Sequence, residues 1–387
     1  IKEAAESGRV IKKDIFGVTS YVSVMESAGD YILAVYPFSE AWETWNAAMA
    51  TLILIYALVF VILFFLINRL MKRHVTAGVY SLNGSLGRIT GGDLEEKADY
   101  RDSVEFDELS DGINFTVDWL KKLIKEAEER IDRELALAAK IQTSFLPHED
   151  PPFPGRNEFE LYSRMDPAKE VGGDFYDHFL IDDDHLALVM ADVSGKGIPA
   201  AMFMVMAKDK LKNSVLKHGA DVAEAVREAN IELCRENDAG LFVTVWLGVM
   251  TLSTGHMDYV DAGHEYPALS RDGGEFIAQE DVHSAPVAAR KKAKFEAGSF
   301  EMESGDILFL YTDGVTEAND PDGEMFRRSR MLKALNKDRS ASVQIIDDNV
   351  RSAIRDFVKD APQFDDTTTL VFRYKGGALQ QNRSGED

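Results

Sequence analysis

Aspartate is disfavoured inside β-strands, so an aspartate at the mouth of an apolar strand invites a chemical explanation. In the stretch 171–197, VGGDFYDHFLIDDDHLALVMADVSGKG, two apolar runs (175–181 and 186–191) flank the acidic turn 182–185, the pattern of a β-hairpin. With Asp183 at the turn centre, Asp174 and Asp192 each stand nine residues away and fall opposite one another. Facing carboxylates repel, and a cation between them removes the penalty. Gly172, Gly173, Gly195 and Gly197 leave little side chain beside the pair, so a ligand has room to approach the backbone. The arrangement recurs. Asp313 ends the apolar run ILFLYT and leads into Gly314, and Asp365 and Asp366 open the run TTTLVFRY. One such aspartate is an ordinary turn residue. Several at the mouths of buried strands form an oxygen-only ligand set, which suits Mg2+ or Mn2+ rather than zinc.

The elements that must position these carboxylates lie between residues 155 and 375. Gly197-Ile198-Pro199 starts a helix with proline in its first turn, and a second helix covers 221–237. Strands are expected at 242–251, 257–262, 267–271, 294–301 and 307–312, then helices at 326–336 and 341–359, and a last strand at 367–374. This order predicts an α+β fold, two sheets with helices packed outside. Met202, Met204 and Met206 read as core, Lys196 as solvated, and His264 as structural rather than a general acid. Cys234 is the one cysteine, which excludes a disulfide framework. It also fails as a nucleophile of the Cys-x5-Arg kind, because Gly240 stands where arginine is needed.

The chain is 387 residues long with a net charge of −23, which argues against nucleic-acid binding. Residues 1–46 alternate short β-like runs (17–25, 31–36) with turns, and are expected to be the end of an extracytoplasmic sensor domain, the missing N-terminal part preceding Ile1. Residues 47–67, AAMATLILIYALVFVILFFLI, carry no charge and are long enough as a helix to cross a bilayer. Arg69, Lys72, Arg73 and His74 follow and Glu40 and Glu43 precede, so the later residues are expected in the cytoplasm of a bacterial cell, beneath its inner membrane. Trp42 and Trp45 stand at the outer interface. Val75, Val79, Leu82, Leu86 and Ile89 form one heptad-like stripe, and Phe106, Leu109, Ile113, Thr116, Leu120 and Leu123 another. The second stripe continues through Val117, Ile124, Ala127, Ile131, Glu134, Ala138, Ile141 and Phe145, with a competing frame through Leu135; two close registers offer a switch. Pro147, Pro151, Pro152 and Pro154 end it.

Placed directly after the membrane segment, residues 70–122 resemble a HAMP domain, which implies a homodimeric four-helix relay, and residues 123–147 a coiled-coil signalling linker. Over about residues 134–375, which include the phosphatase domain expected at 148–375, the resemblance is specific. VGGDFYD, ADVSGKGIPAA, FVTVWLGV, AGH, SGDILFLYTDGVTEA and DDTTTLVFRY are similar, in order and spacing, to the SpoIIE-type branch of the PPM (type 2C) serine/threonine phosphatases, and AAKIQTSFLP to the lead-in helix of RsbU-like members. That resemblance implies a β-sandwich flanked by helices and two divalent ions, Mn2+ or Mg2+. It gives catalytic roles to Asp174, Asp192 and Asp313, and makes Asp192 a bridging ligand helped by the Val193 carbonyl. Asp365 aligns best with the remaining ligand, with Asp366 as the alternative. It further implies water attack on a phosphoserine or phosphothreonine, on a STAS-type anti-sigma-factor antagonist. Three positions depart from the pattern: Asp261 where asparagine often precedes AGH, Arg327 where glycine is usual, and PVAA at 286–289 in place of PLG. The rivals are a catalytically inert interaction module of the same fold and a chemoreceptor-like or cyclase signalling protein, which would need a coupling hairpin or a GGDEF motif. Residues 376–387 read as a disordered tail.

Overall fold

The computed structural model describes residues 5, 8–147, 152–281 and 283–376; Pro151 and the tail from 377 onward lie outside the described residues. Its contacts divide into two units, Ile1–Ala127 and Glu128–Asp387.

In the first unit, β1 (Ile11–Ile15), β2 (Val18–Ser27) and β3 (Asp30–Pro37) form an antiparallel sheet. A helix follows over Phe38–Leu70 with no buried residue, continues through a wider turn at Met71–Thr76 and ends at Thr90. The run Phe38–Thr90 is long and apolar enough to cross a membrane. Gly92 at φ +102° closes it, a conformation that favours glycine. The next helix, Val104–Phe145, is 42 residues long and passes the unit boundary without a break. Asn114 ties the preceding connector to it, donating to the Ala98 carbonyl and accepting from the Ala98 N–H, both at 2.9 Å.

The second unit is built on two five-stranded antiparallel sheets. One contains β5 (Phe175–Leu180), β6 (His185–Val193), β7 (Val243–Thr251), β8 (His256–Ala262) and β11 (Gly298–Glu301), in the order 11-8-7-6-5. The other contains β4 (Phe159–Asp166), β9 (Ala268–Ser270), β10 (Ile277–Ala278), β12 (Ile307–Tyr311) and β13 (Thr367–Tyr374), in the order 10-9-12-13-4. The two-residue period of a strand explains why central strands are apolar on both faces. Leu308, Leu310, Leu370 and Phe372 belong to the main core that includes Met190 and Leu247, whereas Phe309, Tyr311 and Val371 belong to a second core with Met331, Leu335, Ile346 and Val350. The latter come from helices Arg327–Leu335 and Val343–Val358. Helices Ile198–His218 and Val222–Arg235 contribute to the main core. Asp221 and Ser342 cap two helix starts through the amides of Glu224 and Ile345, satisfying donors the first turn leaves free.

Two expectations need correction, one strand was missed, and one open alternative is narrowed. The strand expected at 294–301 is only Gly298–Glu301, because beyond Tyr259 the edge of β8 is used by Ser284, whose N–H donates to the Asp261 carbonyl at 2.8 Å. β4 was not foreseen; it is an edge strand, buried only at Phe159 and Leu161, with Tyr162 and Met165 half-buried and the remaining positions polar. The methionines do not share one environment: Met204 is buried, Met206 half-buried and Met202 is 70% exposed, since residues two apart point to different sides of a helix. The charged position Glu134 is exposed and pairs with Arg130 at 3.0 Å, whereas Leu135 of the competing frame is half-buried.

Candidate active site

The register of the hairpin carries the site. Phe175 pairs with Ala191 and Tyr176 with Met190, so one step further Asp174 stands opposite Asp192, as the spacing predicts. Both lie at the end of the first sheet. β12 and β13 bring their adjoining ends there too, Tyr311 pairing with Thr369; Asp313 follows β12 and opens the short turn Asp313–Thr316, and Asp365 and Asp366 precede β13. Five carboxylates from four separate segments therefore meet where the two sheets end.

Asp174 is buried, and its Oδ2 accepts from the Thr312 and Thr368 hydroxyls, each at 2.6 Å. Thr312 Oγ1 in turn accepts from the Thr368 N–H at 3.1 Å, which locks both hydroxyls in place. Burial first, then the Asp192 and Asp366 charges, pushes the Asp174 pKa well above the usual carboxylate range. Burial and then Asp313 raise Asp192 to about 7, opposed by its hydrogen bond with Asp174. Asp313 is raised to about 6 by burial, then Glu317 and Asp365, while Lys196 pulls it back. The mutual influence of these groups is what a negative cluster with too few counter-charges produces.

The aspartate pair at 365–366 divides its work. Asp366 Oδ1 accepts from the Ala168 N–H at 2.8 Å and Oδ2 from the Gly173 N–H at 2.7 Å, so both oxygens hold backbone. Asp365 is half-exposed, and its Oδ2 meets the Lys196 ammonium at 2.7 Å. Lys196 also donates to the Phe364 carbonyl at 2.7 Å and lies over the Phe364 ring. Lys196 is exposed, as expected of a solvated lysine, and is in addition paired with the cluster.

Two of the four glycines, Gly172 and Gly173, serve a purpose other than the one expected, while Gly197 has nothing within 4 Å of where a Cβ would stand. A Cβ on Gly172 would lie 2.3 Å from Asp366 Oδ2, and one on Gly173 would lie 2.9 Å from the Val193 carbonyl oxygen. It is the protein's own groups that approach this backbone. Gln142, buried near the end of the long helix, donates to the Gly172 carbonyl at 2.5 Å and accepts the Gly172 N–H at 3.1 Å. Tyr176 donates to the Pro147 carbonyl at 3.1 Å, so the helix exit is fastened on both sides of Asp174.

Two sequence readings gain physical content. His264 is buried and its pKa is pushed down to about 3 by burial; Thr244 Oγ1 lies 2.9 Å from its Nδ1. Burial thus favours the neutral imidazole. Cys234 is half-buried with its thiol pushed up by burial, the opposite of an activated nucleophile. Sequence reasoning missed Thr312, Thr368, Gln142 and the acidic neighbours Glu265 and Glu317. The signal for the threonines was present: each lies within two residues of an aspartate in the cluster.

Among the described residues no three side chains form a closed cage for an ion. The donor chemistry nevertheless fits a hard divalent cation: five carboxylates, oxygen donors only, with Lys196 the one positive group paired within the cluster.

Two antiparallel five-stranded sheets with helices outside and carboxylates where the sheets end define a PP2C-type phosphatase. The SiaA-PP2C domain of Pseudomonas aeruginosa superposes with a TM-score of 0.57 at 20% identity, covering 64% of this chain and 98% of that one. Residues 182–375, half of the chain, match the family model described as Stage II sporulation protein E (SpoIIE). The chain belongs to this family of PP2C-type serine/threonine phosphatases, which are metal-dependent. Protein IcfG of Synechocystis sp. is 29% identical over 330 residues, covering 77% of this chain and 51% of IcfG. Phosphoserine phosphatase RsbU of Bacillus subtilis is 26% identical over 252 residues, covering 65% of this chain and 73% of RsbU. The chain thus spans about half the length of IcfG.

Proposed function

We propose that this chain is a membrane-anchored, signal-regulated phosphatase that removes phosphate from serine or threonine of a protein. The observation that carries the reading is the convergence of Asp174, Asp192, Asp313 and Asp365 where the two sheets end, in a chain of the SpoIIE family. Asp192, Asp174, Asp313, Asp365 and the Val193 carbonyl would hold two divalent ions, Mn2+ or Mg2+, which supply an acidified water and neutralise phosphoryl charge. Thr312 and Thr368 fix the rotamer of Asp174. Asp366, whose oxygens hold the Ala168 and Gly173 amides, would serve as a pin, which favours Asp365 as the ligand of the pair. Lys196, held by Asp365 and the Phe364 carbonyl, adds a positive charge beside the cluster. No residue is needed as a covalent nucleophile, consistent with the state of Cys234.

The substrate reading is a STAS-type anti-sigma-factor antagonist in a partner-switching cascade; the relative named phosphoserine phosphatase RsbU supports it by analogy alone. The apolar run at 47–67 would anchor the chain in the bacterial inner membrane with the phosphatase in the cytoplasm. A HAMP relay over 70–122 and a coiled coil over 123–147 would pair two copies. Supporting that pairing, Val79, Leu109, Leu120, Ile131 and Ile141 are exposed in the single chain, as seam positions awaiting a partner are.

The test is phosphate release from a phosphorylated STAS-type protein, with and without Mn2+, by the full chain and its Asp192→Ala variant. Release that needs Mn2+ and is lost on substitution is expected. No release, or release indifferent to both, overturns the hydrolase reading in favour of an inert interaction module.

A further inference from the structure

Beside the carboxylate cluster lies a cleft of about 470 Å³ with the opposite character. Three of its lining residues are chain neighbours of the cluster: Gly314 follows Asp313, Phe364 precedes Asp365, and Thr367 follows Asp366. Ile354, Val358 and Pro362 give it apolar surface. Four of its lining residues are basic and one is acidic. Arg351 is consumed internally: it donates to Asp347 at 2.8 Å, to Asp166 at 2.6 Å and to Thr369 at 2.8 Å. Arg164 is likewise paired with Asp166 at 3.1 Å. Arg355 and Lys359 are different. Both are exposed, and neither side chain has an ion pair or hydrogen bond among the described residues. Their sequence neighbours Asp356 and Asp360 do not line the cleft.

A chain of net charge −23 repels acidic partners over most of its surface. This partly apolar cleft next to the reacting centre instead carries more basic than acidic lining residues, two of its cations being unpaired among the described residues. We propose that this cleft docks an acidic segment of the phosphoprotein substrate, next to the phosphorylated residue, with Arg355 and Lys359 reading its carboxylates. The inference rests on the phosphatase reading and gives it a substrate preference: acidic flanking sequence over neutral. Complementary charge at such a rim selects the partner and speeds encounter without taking part in the chemistry.

Basic residues near a helix C-terminus also complement the helix dipole, and the experiment separates the two roles. The full chain in detergent and its Arg355→Glu/Lys359→Glu variant are given Mn2+ and three substrates: p-nitrophenyl phosphate, a phosphoserine peptide with acidic flanks, and the same peptide with neutral flanks. The expected result is a KM for the acidic peptide raised about tenfold at low salt, with kcat and p-nitrophenyl phosphate turnover within twofold of the unmodified chain. An unchanged ratio of the two peptides' KM values overturns the docking role, as does an equal loss on all three substrates. A lowered melting temperature with KM values unaltered assigns the pair to the helix dipole and overturns it too. If the unmodified chain turns over no substrate, the phosphatase reading fails. The cleft is then judged by fluorescence anisotropy of the labelled acidic peptide, where equal binding by both chains rejects it.

Discussion

The helix Val104–Phe145 carries the same device twice. Asn114 grips the peptide of Ala98 through both its N–H and its carbonyl, and Gln142, four heptads later, grips the peptide of Gly172 in the same way. What surrounds each grip is different. Around Asn114 few apolar side chains are buried, chiefly Leu82, Ala98 and Val117, while Val79, Leu109 and Leu120 stay exposed. Gln142 is buried, and the glycine it holds leads through Gly173 to Asp366 and through the chain to Asp174. Both gripped residues are covered, but Gln142 is itself buried whereas Asn114 is only half-buried, so water can replace the Asn114 amide far more readily than the Gln142 amide, whose removal leaves a buried peptide unpaired. The same chemistry therefore fixes an active-site loop in one region and a replaceable connector in the other.

The largest expected effect comes from attacking the locked end of this contrast. Thr312→Val with Thr368→Val keeps the side-chain shape and removes both hydroxyls from Asp174. Partners of metal-binding groups typically contribute about 10–100-fold in affinity, so the Mn2+ concentration for half-maximal binding, read by calorimetry, is expected to rise by about 100-fold. A change under threefold would mean that Asp174 needs no such support. Next in size is the pair of grips itself. Gln142→Leu is expected to weaken Mn2+ binding about tenfold and to speed amide exchange across 170–176. Asn114→Leu should leave both readouts within twofold. Equal effects of the two substitutions would erase the distinction drawn above.

Much of the catalytic end was legible because strand periodicity and register are arithmetic. Apolar runs and a turn centre suffice to set Asp174 against Asp192. Glycines were legible as close approaches but not as approaches by what: the neighbour of Gly172 is Asp366, 194 residues away, together with Gln142. No local pattern encodes such a contact. For the same reason the aspartates at 365 and 366 could not be told apart, since their difference is that one faces backbone amides and the other Lys196. The strand Phe159–Asp166 escaped because an edge strand needs only one apolar face, which leaves a weak signal in eight residues. In the long helix two frames competed, and burial of Leu135 rather than Glu134 depends on packing that the heptad alone does not specify.

A smaller effect links the cluster to pH. Asp192 and Asp313 have pKa values raised to about 7 and about 6, so the folded chain holds these protons more tightly than the unfolded one. Their contribution to stability is full below the ordinary carboxylate range and is lost as pH rises through 6 to 7. Divalent cations compete with those protons. In chelator, the melting temperature should therefore fall between pH 5.5 and pH 8 relative to a chain with Asp192→Asn. The gain on adding Mn2+ should be several degrees larger at pH 8. A gain independent of pH would place the metal away from these two carboxylates.

The smallest effects concern two of the three departures from the family pattern, and they differ in a way that tests how the loops are held. Ala288 and Arg327 stand where the pattern has glycine, and both adopt positive φ, +65° and +64°. Both positions thus carry a side chain in the conformation that favours glycine. For a residue with a Cβ this conformation costs roughly 1–2 kcal/mol, against roughly 0.5–1 kcal/mol of extra entropy lost on ordering a glycine. Arg327 is exposed and follows the buried Phe326, so Arg327→Gly loses little contact and should raise stability by about 0.5–1 kcal/mol, a rise in melting temperature of about 2 °C. Ala288 is buried, and its N–H donates to Asn230 Oδ1 at 2.8 Å. Ala288→Gly keeps that hydrogen bond but removes a buried methyl, which is worth about 0.8 kcal/mol, and the two terms nearly cancel. Melting temperatures measured side by side should therefore rise for Arg327→Gly and stay level for Ala288→Gly. If Arg327→Gly lowers the melting temperature instead, the arginine side chain makes a stabilising contact that outweighs the strain.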